Sequence, residues 1–391
     1  MFIELHLLQN FAPSCLNRDD TNSPKDCEFG GARRARISSQ CIKRAIRTQF
    51  KENLLLPSGN LAHRTKGLVK LLSDMLKERD KDPDQAQMVA EAAARGCGLD
   101  LKEGKTEYLI LLGQQEVTAL AQACEVHWDE LLEIDFSQPD DAPGDAAAKG
   151  RKSKKKAAKG AVPDEVKKEL ARVLDGGKAV DLALFGRMVA DLPQKNIDAA
   201  CQVAHALSTN QVSVEFDFYT AVDDLSPKEE TGAGMMGTVE FNSACFYRYA
   251  NIDFGQLTRN LGDDVELAQK TVEAFLRAAV AAIPTGKQNS MAAQNPPSLV
   301  FAVVRDRGLW SLANAFVNPI RTTREGGLVQ KSITALEDYW TKLAAAYGEE
   351  GIQTKPVLAV DGNLNKLQDY QVPNLEALIQ AVMAALAGGR P

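Results

Sequence analysis

The chain has 391 residues, 45% hydrophobic and 25% charged, with a formal net charge of −6. These are ordinary globular proportions, and the length allows two or more sub-domains with cores of their own. No apolar run approaches the roughly 18 residues of a membrane span, and the start, Met1-Phe2-Ile3-Glu4-Leu5-His6, lacks the basic-then-apolar order of a secretory signal. A membrane partner is therefore not expected. The seven cysteines are odd in number and none is spaced as C-x-x-C, which argues against a disulfide framework or a zinc site and for a reducing cytoplasm.

Residues 2–9 alternate, with Ile3, Leu5 and Leu7 on one side, and predict a strand with one buried face. Residues 10–37, rich in Asn, Asp, Pro, Gly and Arg, read as a long functional loop. Ser38-Ser39 supplies an N-cap for a helix from Gln40 to about Phe50, with Ile42, Ala45, Ile46 and Phe50 as its apolar stripe. Residues 61–133 read as mostly helix. Residues 137–163 hold almost no bulky apolar side chain and cannot bury a core; they carry Lys149, Arg151, Lys152, Lys154, Lys155, Lys156 and Lys159.

Further on, helices are expected at 196–208, 264–282, 308–317, 331–347 and about 374–387, and strands near 298–304 and 356–360. Residues 212–219 and 238–249 predict two strands joined by a long, polar, Gly-rich excursion. Strands and helices in mixed order, with few βαβ units, indicate an α+β core with a helical insertion.

The negative total conceals a local excess. From Gly30 to Lys51 there are seven cations and no acid: Arg33, Arg34, Arg36, Lys43, Arg44, Arg47 and Lys51. Lys43, Arg47 and Lys51 are spaced i, i+4, i+8 and so share one ridge of the helix, where like charges repel unless an anion offsets them. The helix start at Ser38-Ser39-Gln40 adds backbone N–H groups and a positive dipole end, so phosphate is the natural ligand. A merely solvated basic face is the competing reading. Tyr219 breaks the alternation of Phe216 and Phe218 and should face the other side of its strand, where an aromatic can stack on a base; core packing is the competing reading for all three and the expected state of the two Phe. Met188 is equally open between core and surface.

Other motifs lead nowhere. Gly232-Ala233-Gly234-Met235-Met236-Gly237 matches G-x-G-x-x-G, but a polar loop precedes it and a strand follows. Thr285-Gly286-Lys287-Gln288 lacks the remainder of a P-loop. The four histidines are far apart in sequence. Asp19-Asp20 and Asp223-Asp224 could hold Mg²⁺, but loop capping is the simpler role for the first pair. No cofactor, metal or catalytic set is indicated.

Several segments, in order, resemble a known family: Pro13-Ser14-Cys15-Leu16-Asn17-Arg18-Asp19-Asp20, Lys25-Asp26, Phe29-Gly30-Gly31, Arg36-Ile37-Ser38-Ser39-Gln40 and Lys43-Arg44-Ala45. The series continues with Gly186-Arg187-Met188, Ala204-His205-Ala206, Phe218-Tyr219-Thr220-Ala221-Val222-Asp223-Asp224-Leu225, Phe246-Tyr247-Arg248-Tyr249-Ala250-Asn251 and Leu312-Ala313-Asn314-Ala315-Phe316. Together they resemble the CasC family, the subunit repeated along the guide RNA of the type I-E CRISPR Cascade complex. The resemblance implies an RRM-like (ferredoxin-like) palm, a helical fingers insertion and a protruding β-hairpin-like thumb. The palm would begin at 1–50, the fingers would occupy 51–180 with the basic linker 137–163, and the palm would resume at 181–391 with a thumb about 210–240.

The same resemblance implies a non-catalytic subunit that polymerises along crRNA, kinks it at regular intervals and presents bases to target DNA. Its partners would be copies of itself in a helical filament and the large, small, belt and guide-processing subunits of Cascade. By motif match Arg18, Lys25, Ser38, Gln40, Lys43, Arg44 and Arg47 would hold the RNA backbone. Met188, Tyr219 and Thr220 would wedge at the kinked nucleotide, with Tyr219 where relatives are expected to have Phe. Two other functions stay open on the residues alone: an endoribonuclease that matures CRISPR RNA, and a general single-strand-binding protein. The basic linker suggests a contact of Lys152, Lys154, Lys155 and Lys156 with target-DNA phosphates. Neutralising the four should lower the slope of log K against log salt by up to about 0.9 per lost phosphate contact on duplex; an unchanged slope removes the linker from the DNA path.

Overall fold

A computed structural model describes residues 1–134, 162–189, 192–221, 235–322, 327–360 and 363–388. The chain forms two compact units. One comprises Met1–Leu56, Ala200–Arg259 and Asp263–Pro391; the other comprises Pro57–Ala199 with Asn260–Gly262.

The first unit is an antiparallel sheet with helices on both faces. Strand β1 (Phe2–Ser14) lies in the middle, paired on one side with the long strand Met235–Asp253 and on the other with Leu299–Arg305. The order across the sheet is Ile352–Thr354, Leu299–Arg305, β1, Met235–Asp253, Ala206–Ser208, β3 (Ala32–Ile37) and β2 (Asp26–Phe29). The basic helix α1 (Ser39–Glu52) and helix Val265–Ala281 pack against each other, and Leu5, Leu7, Ile42, Ile46 and Ala279 meet beneath them. On the opposite face helix Leu328–Tyr347 sets Ile333, Leu336 and Trp340 against Leu8, Tyr247 and Phe301.

β1 is therefore buried on both sides, not on one as its alternation suggested. Glu4, His6 and Gln9 are fully buried, and a buried polar group must be partnered. Glu4 accepts from the Tyr249 hydroxyl at 2.9 Å, the Trp310 N–H at 2.7 Å and Arg305 at 3.1 Å. Tyr247 accepts from the Leu312 N–H and is hydrogen-bonded to His6 Nδ1, both at 2.8 Å. Burial drives the His6 pKa down to about 3, so the ring is neutral. Gln9 accepts from Arg248 at 2.6 Å.

Three further expectations are corrected. Residues 10–37 are not a continuous loop: β1 extends to Ser14 through an irregularity at Ala12-Pro13, where proline lacks a ladder donor. β2 and β3 then form a hairpin closed by Gly30-Gly31, both with positive φ (62° and 69°), the conformation of a two-residue primed turn. Residues 196–208 do not form a helix but two short strands, Cys201–Val203 and Ala206–Ser208, held by pairing to Met235–Asp253; tertiary pairing overrides a weak local preference. Residues 308–317 contribute only a 3-10 turn at Ala313–Phe316, because their backbone groups are used to satisfy Glu4, Tyr247 and Arg34.

Arg34 belongs to the cationic run in sequence but to the interior in space. It is fully buried. Its guanidinium donates to the carbonyls of Phe29 (3.3 Å), Ser208 (3.0 Å), Thr209 (2.8 Å), Phe316 (2.7 Å) and Val317 (3.0 Å). Gly30 lies against the same segment, where a Cβ would sit 1.9 Å from the Val317 carbonyl oxygen.

The second unit is mainly helical. Helices Leu68–Lys77, Pro83–Gly96, Gln114–Val126 and Asp164–Val173 bury one apolar cluster that includes Leu72, Leu76, Val89, Leu120 and Leu170. Short strands Ala62–Thr65 and Ile110–Gly113 pair beside them.

Arg34→Ala is expected to take a donor from five backbone carbonyls and to destabilise the first unit by roughly 3 kcal/mol, since each buried acceptor left unsatisfied costs about 1–3 kcal/mol. Arg34→Lys should recover little of it, having three donors in the wrong geometry. Denaturant midpoints of the three proteins check this.

Candidate nucleic-acid interface

The site begins where β1 ends. Asn17 ties the segment down: its side-chain carbonyl accepts from the Ser38 N–H, and its backbone carbonyl accepts from the Lys25 N–H, both at 2.8 Å. Between them Asp19 caps a turn by accepting from the Thr21 and Ser23 N–H groups and the Thr21 hydroxyl. The Thr21 hydroxyl bond, ahead of the backbone bonds, holds the Asp19 carboxyl below its usual range. Asp19 is thus a turn residue. Among the described residues no group of three His, Cys, Asp or Glu side chains could hold a metal ion; Asp223-Asp224 lie outside them.

α1 starts at the predicted place. Ser38 is its N-cap, with the hydroxyl accepting from the Cys41 N–H. Ser38 is nearly buried, whereas Gln40 is exposed at the helix start. The first turn carries no acid, so no side chain of the helix neutralises its positive end. Ile42, Ala45, Ile46 and Phe50 are buried as their spacing predicts. That burial leaves Lys43 and Arg47 half-buried and Arg44 and Lys51 exposed on the remaining face.

Lys25 joins this face from the loop. It and Arg44 lie close enough to Cys41 to oppose the upward push that burial gives the thiol. Lys25 also acts on His205, which is hydrogen-bonded to Arg36. Lys25, Arg36, Asn17, Pro24, Asn242 and Phe246 line one cleft. Arg18 is exposed beside it and donates to Asn22. The structure therefore brings Arg18, Lys25, Ser38, Gln40, Lys43, Arg44 and Arg47 to one region of the first unit and adds Asn17, Arg36 and His205. These three were not among the expected ligands; the bonds to Ser38 and Lys25 place Asn17 there, and the pairing of β3 with Ala206–Ser208 brings Arg36 to His205. Arg33 pairs with Asp26 on the hairpin.

The aromatic hairpin lies on the same unit. Strand Glu215–Ala221 pairs with the outer part of Met235–Asp253. Phe216 and Phe218 are not core residues: they are 67% and 64% exposed, with Met236 at 66%. They share a face with Thr220, since Thr220 pairs with Met236 and Phe218 with Thr238. Tyr219 points to the other face, opposite Gly237, and its ring occupies the space a Cβ there would need, 2.5 Å from the ring atoms. Tyr219 and Thr220 thus stand on opposite faces of one ribbon.

Met188 belongs to the second unit and is 85% exposed. Its neighbours are fixed. Arg187 bonds both oxygens of the buried Glu116 at 2.8 and 2.9 Å and bridges to Ile197 through two backbone bonds. The Val189 N–H donates to Asn196 Oδ1 at 2.7 Å. An apolar side chain held outward on a fixed backbone fits a surface role, not the core. Lys152, Lys154, Lys155 and Lys156 lie outside the described residues.

The remaining histidines are separate. His63 bonds Gln114 and His127 bonds Glu169, and His6 is in the sheet. All seven cysteines are free. Among the described residues no helix is long and apolar enough to cross a membrane.

A mixed α+β chain with an acid-poor cationic helix start and an exposed aromatic hairpin has the features of a polyanion-binding protein. The family model of the CT1975-like proteins, a Cas family, matches residues 3–384, and the chain belongs to that family. Two solved structures are similar over 98% of this chain and 100% of their own. One, described as a CRISPR RNA-guided surveillance complex, pre-nicking, is 31% identical with a TM-score of 0.83. The other, described as a CRISPR RNA-guided surveillance complex, is 26% identical with a TM-score of 0.73. No curated protein matches the chain.

The exposed Arg44 is expected to act through charge alone. Arg44→Ala should leave folding unchanged and flatten the salt dependence of single-stranded RNA binding by about 0.7 log units per lost contact. Tyr219→Phe should bind as the parent does, whereas Tyr219→Ala should lose about 1–3 kcal/mol if the ring stacks on a base. Filter binding across a salt series reads both.

Proposed function

We propose that the chain is the non-catalytic, crRNA-binding backbone subunit of a type I-E CRISPR surveillance complex, working in the cytoplasm. The observation that carries this reading is the continuous cationic surface formed by Lys25, Arg36 and the face of α1. It is supported by similarity along nearly the whole chain to a subunit of an RNA-guided surveillance complex. In this reading the sheet unit is an RRM-like palm, the unit from Pro57 to Ala199 is the fingers, and the hairpin of Glu215–Ala221 with Met235–Asp253 is the base of a thumb. Backbone contacts hold the RNA without reading its sequence. Met188, Tyr219 and Thr220 wedge at the kinked nucleotide that recurs at regular intervals along the guide. The bases between wedges pair with target DNA, so sequence is read by pairing and the protein reads backbone and shape. Copies of the chain stack along the guide in a helical filament, with the other Cascade subunits at its ends and flanks.

The test is co-expression with neighbouring cas genes and a CRISPR array, purification by a tag on this chain, and sequencing of the RNA that accompanies it. Repeat-flanked guides with regularly spaced protected segments are expected. Mixed cellular RNA points instead to a general single-strand-binding protein. Metal-independent cleavage of precursor RNA by the purified chain points to an endoribonuclease.

A further inference from the structure

Arg36 and His205 meet because β3 pairs with Ala206–Ser208, Arg36 opposite Leu207 and Ile37 opposite Ala206. Arg36 Nη1 lies 2.9 Å from His205 Nδ1. A guanidinium keeps its proton and can only donate. His205 Nδ1 must then be the bare nitrogen, and the ring proton sits on Nε2. The charged groups acting on the ring are cationic: Arg36 on β3 and Lys25 ahead of β2. Asp26 offers Arg36 only its backbone carbonyl, at 3.3 Å, while its carboxylate pairs with Arg33. Burial first, then Arg36 and Lys25, hold the His205 pKa below its usual range, although the residue is exposed.

The pair is self-consistent only while His205 is neutral. Once Nδ1 is protonated it can no longer accept from Arg36, and two cations face each other beside Lys25. An anion between them reverses that balance. We propose that Arg36 and His205 together grip one phosphate of single-stranded RNA, and that His205 takes up a proton from solvent as the phosphate binds. The Arg36–His205 bond is exchanged for an Arg36–phosphate bond, and the protonated Nδ1 becomes a second donor to the same phosphate. No covalent bond changes. This rests on the RNA-binding reading above and adds two residues and a proton to it.

The sign follows from linkage. The bound state holds more protons than the free state at pH values between the two His205 pKa values. Affinity therefore rises as pH falls through that window, by up to about tenfold per pH unit for one proton.

The experiment measures binding of the full-length chain to a fluorescein-labelled oligouridylate, whose bases do not titrate near neutrality, from about pH 6 to about pH 8 at fixed ionic strength. Calorimetry in two buffers of different ionisation enthalpy counts the protons. The parent is expected to bind several-fold tighter at the acidic end, with net proton uptake. His205→Gln should match the parent at the alkaline end and lose both the pH dependence and the uptake. His205→Lys should be tight and flat throughout. Equal pH dependence and equal uptake in the parent and both variants would overturn the proposal while leaving RNA binding intact. Absence of oligouridylate binding by the parent at every pH would overturn the RNA-binding reading and this proposal together.

Discussion

The structure depends on a strand that is buried on both faces and yet carries Glu4, His6 and Gln9. Burying such groups without partners costs several kcal/mol, so every element around β1 is recruited to supply one. Tyr249 and Tyr247 come from the strand on one side, Arg305 from the strand on the other, and the Trp310 and Leu312 N–H groups from the segment that crosses the end of the sheet. This fixes the register of the three central strands. The site is made of what lies beyond them: past Ser14 the chain enters the Asn17–Lys25 turn, and the outer part of Met235–Asp253 leaves the sheet as the aromatic hairpin. Rigid central strands thus become the anchor for both the cationic surface and the exposed aromatics.

Net charge is a poor guide to such a surface. A phosphate backbone responds to charges within about a Debye length, ~10 Å at moderate salt, not to the −6 of the whole chain. Within the run of seven cations the fold assigns different tasks. Arg34 turns inward and holds carbonyls of three segments together. Arg33 is paired on the hairpin. Arg36 and α1 remain on the face with Lys25. Alternation along β3 separates Arg33 from Arg34 and Arg36; the latter two then part because the Ser208-Thr209 and Phe316-Val317 segments cover Arg34, whereas Arg36 lies beside His205.

The aromatic hairpin obeys the same alternation. Tyr219 covers Gly237, a cross-strand arrangement that shields a residue with no side chain of its own. Phe216, Phe218 and Met236 form an apolar strip on the other face, larger than isolated exposed side chains require. Met188 reaches the surface by a different device, a buried Arg187–Glu116 pair that fixes its flanking backbone.

Local signals were enough for α1. Ser38 as cap, the i, i+3, i+4 apolar stripe and the cationic ridge all depend on residues within a few turns, so the helix and its basic face were legible from the chain itself, as were the alternating strands of the hairpin. The ordered motifs also carried the family. What the chain alone left open depends on pairing between distant segments. Gly30-Gly31 closes the β2–β3 hairpin, β3 pairs in turn with Ala206–Ser208, and that pairing turns an apparent helix at 196–208 into strand. The inward turn of Arg34, the outward exposure of Phe216 and Phe218, and the meeting of Arg36 with His205 across 169 positions were likewise decided in three dimensions. The physical reason is one of range: caps and helical stripes are energies between near neighbours in sequence, whereas burial on both faces of a sheet and the partner of a buried charge are set by whichever remote strand comes to lie alongside.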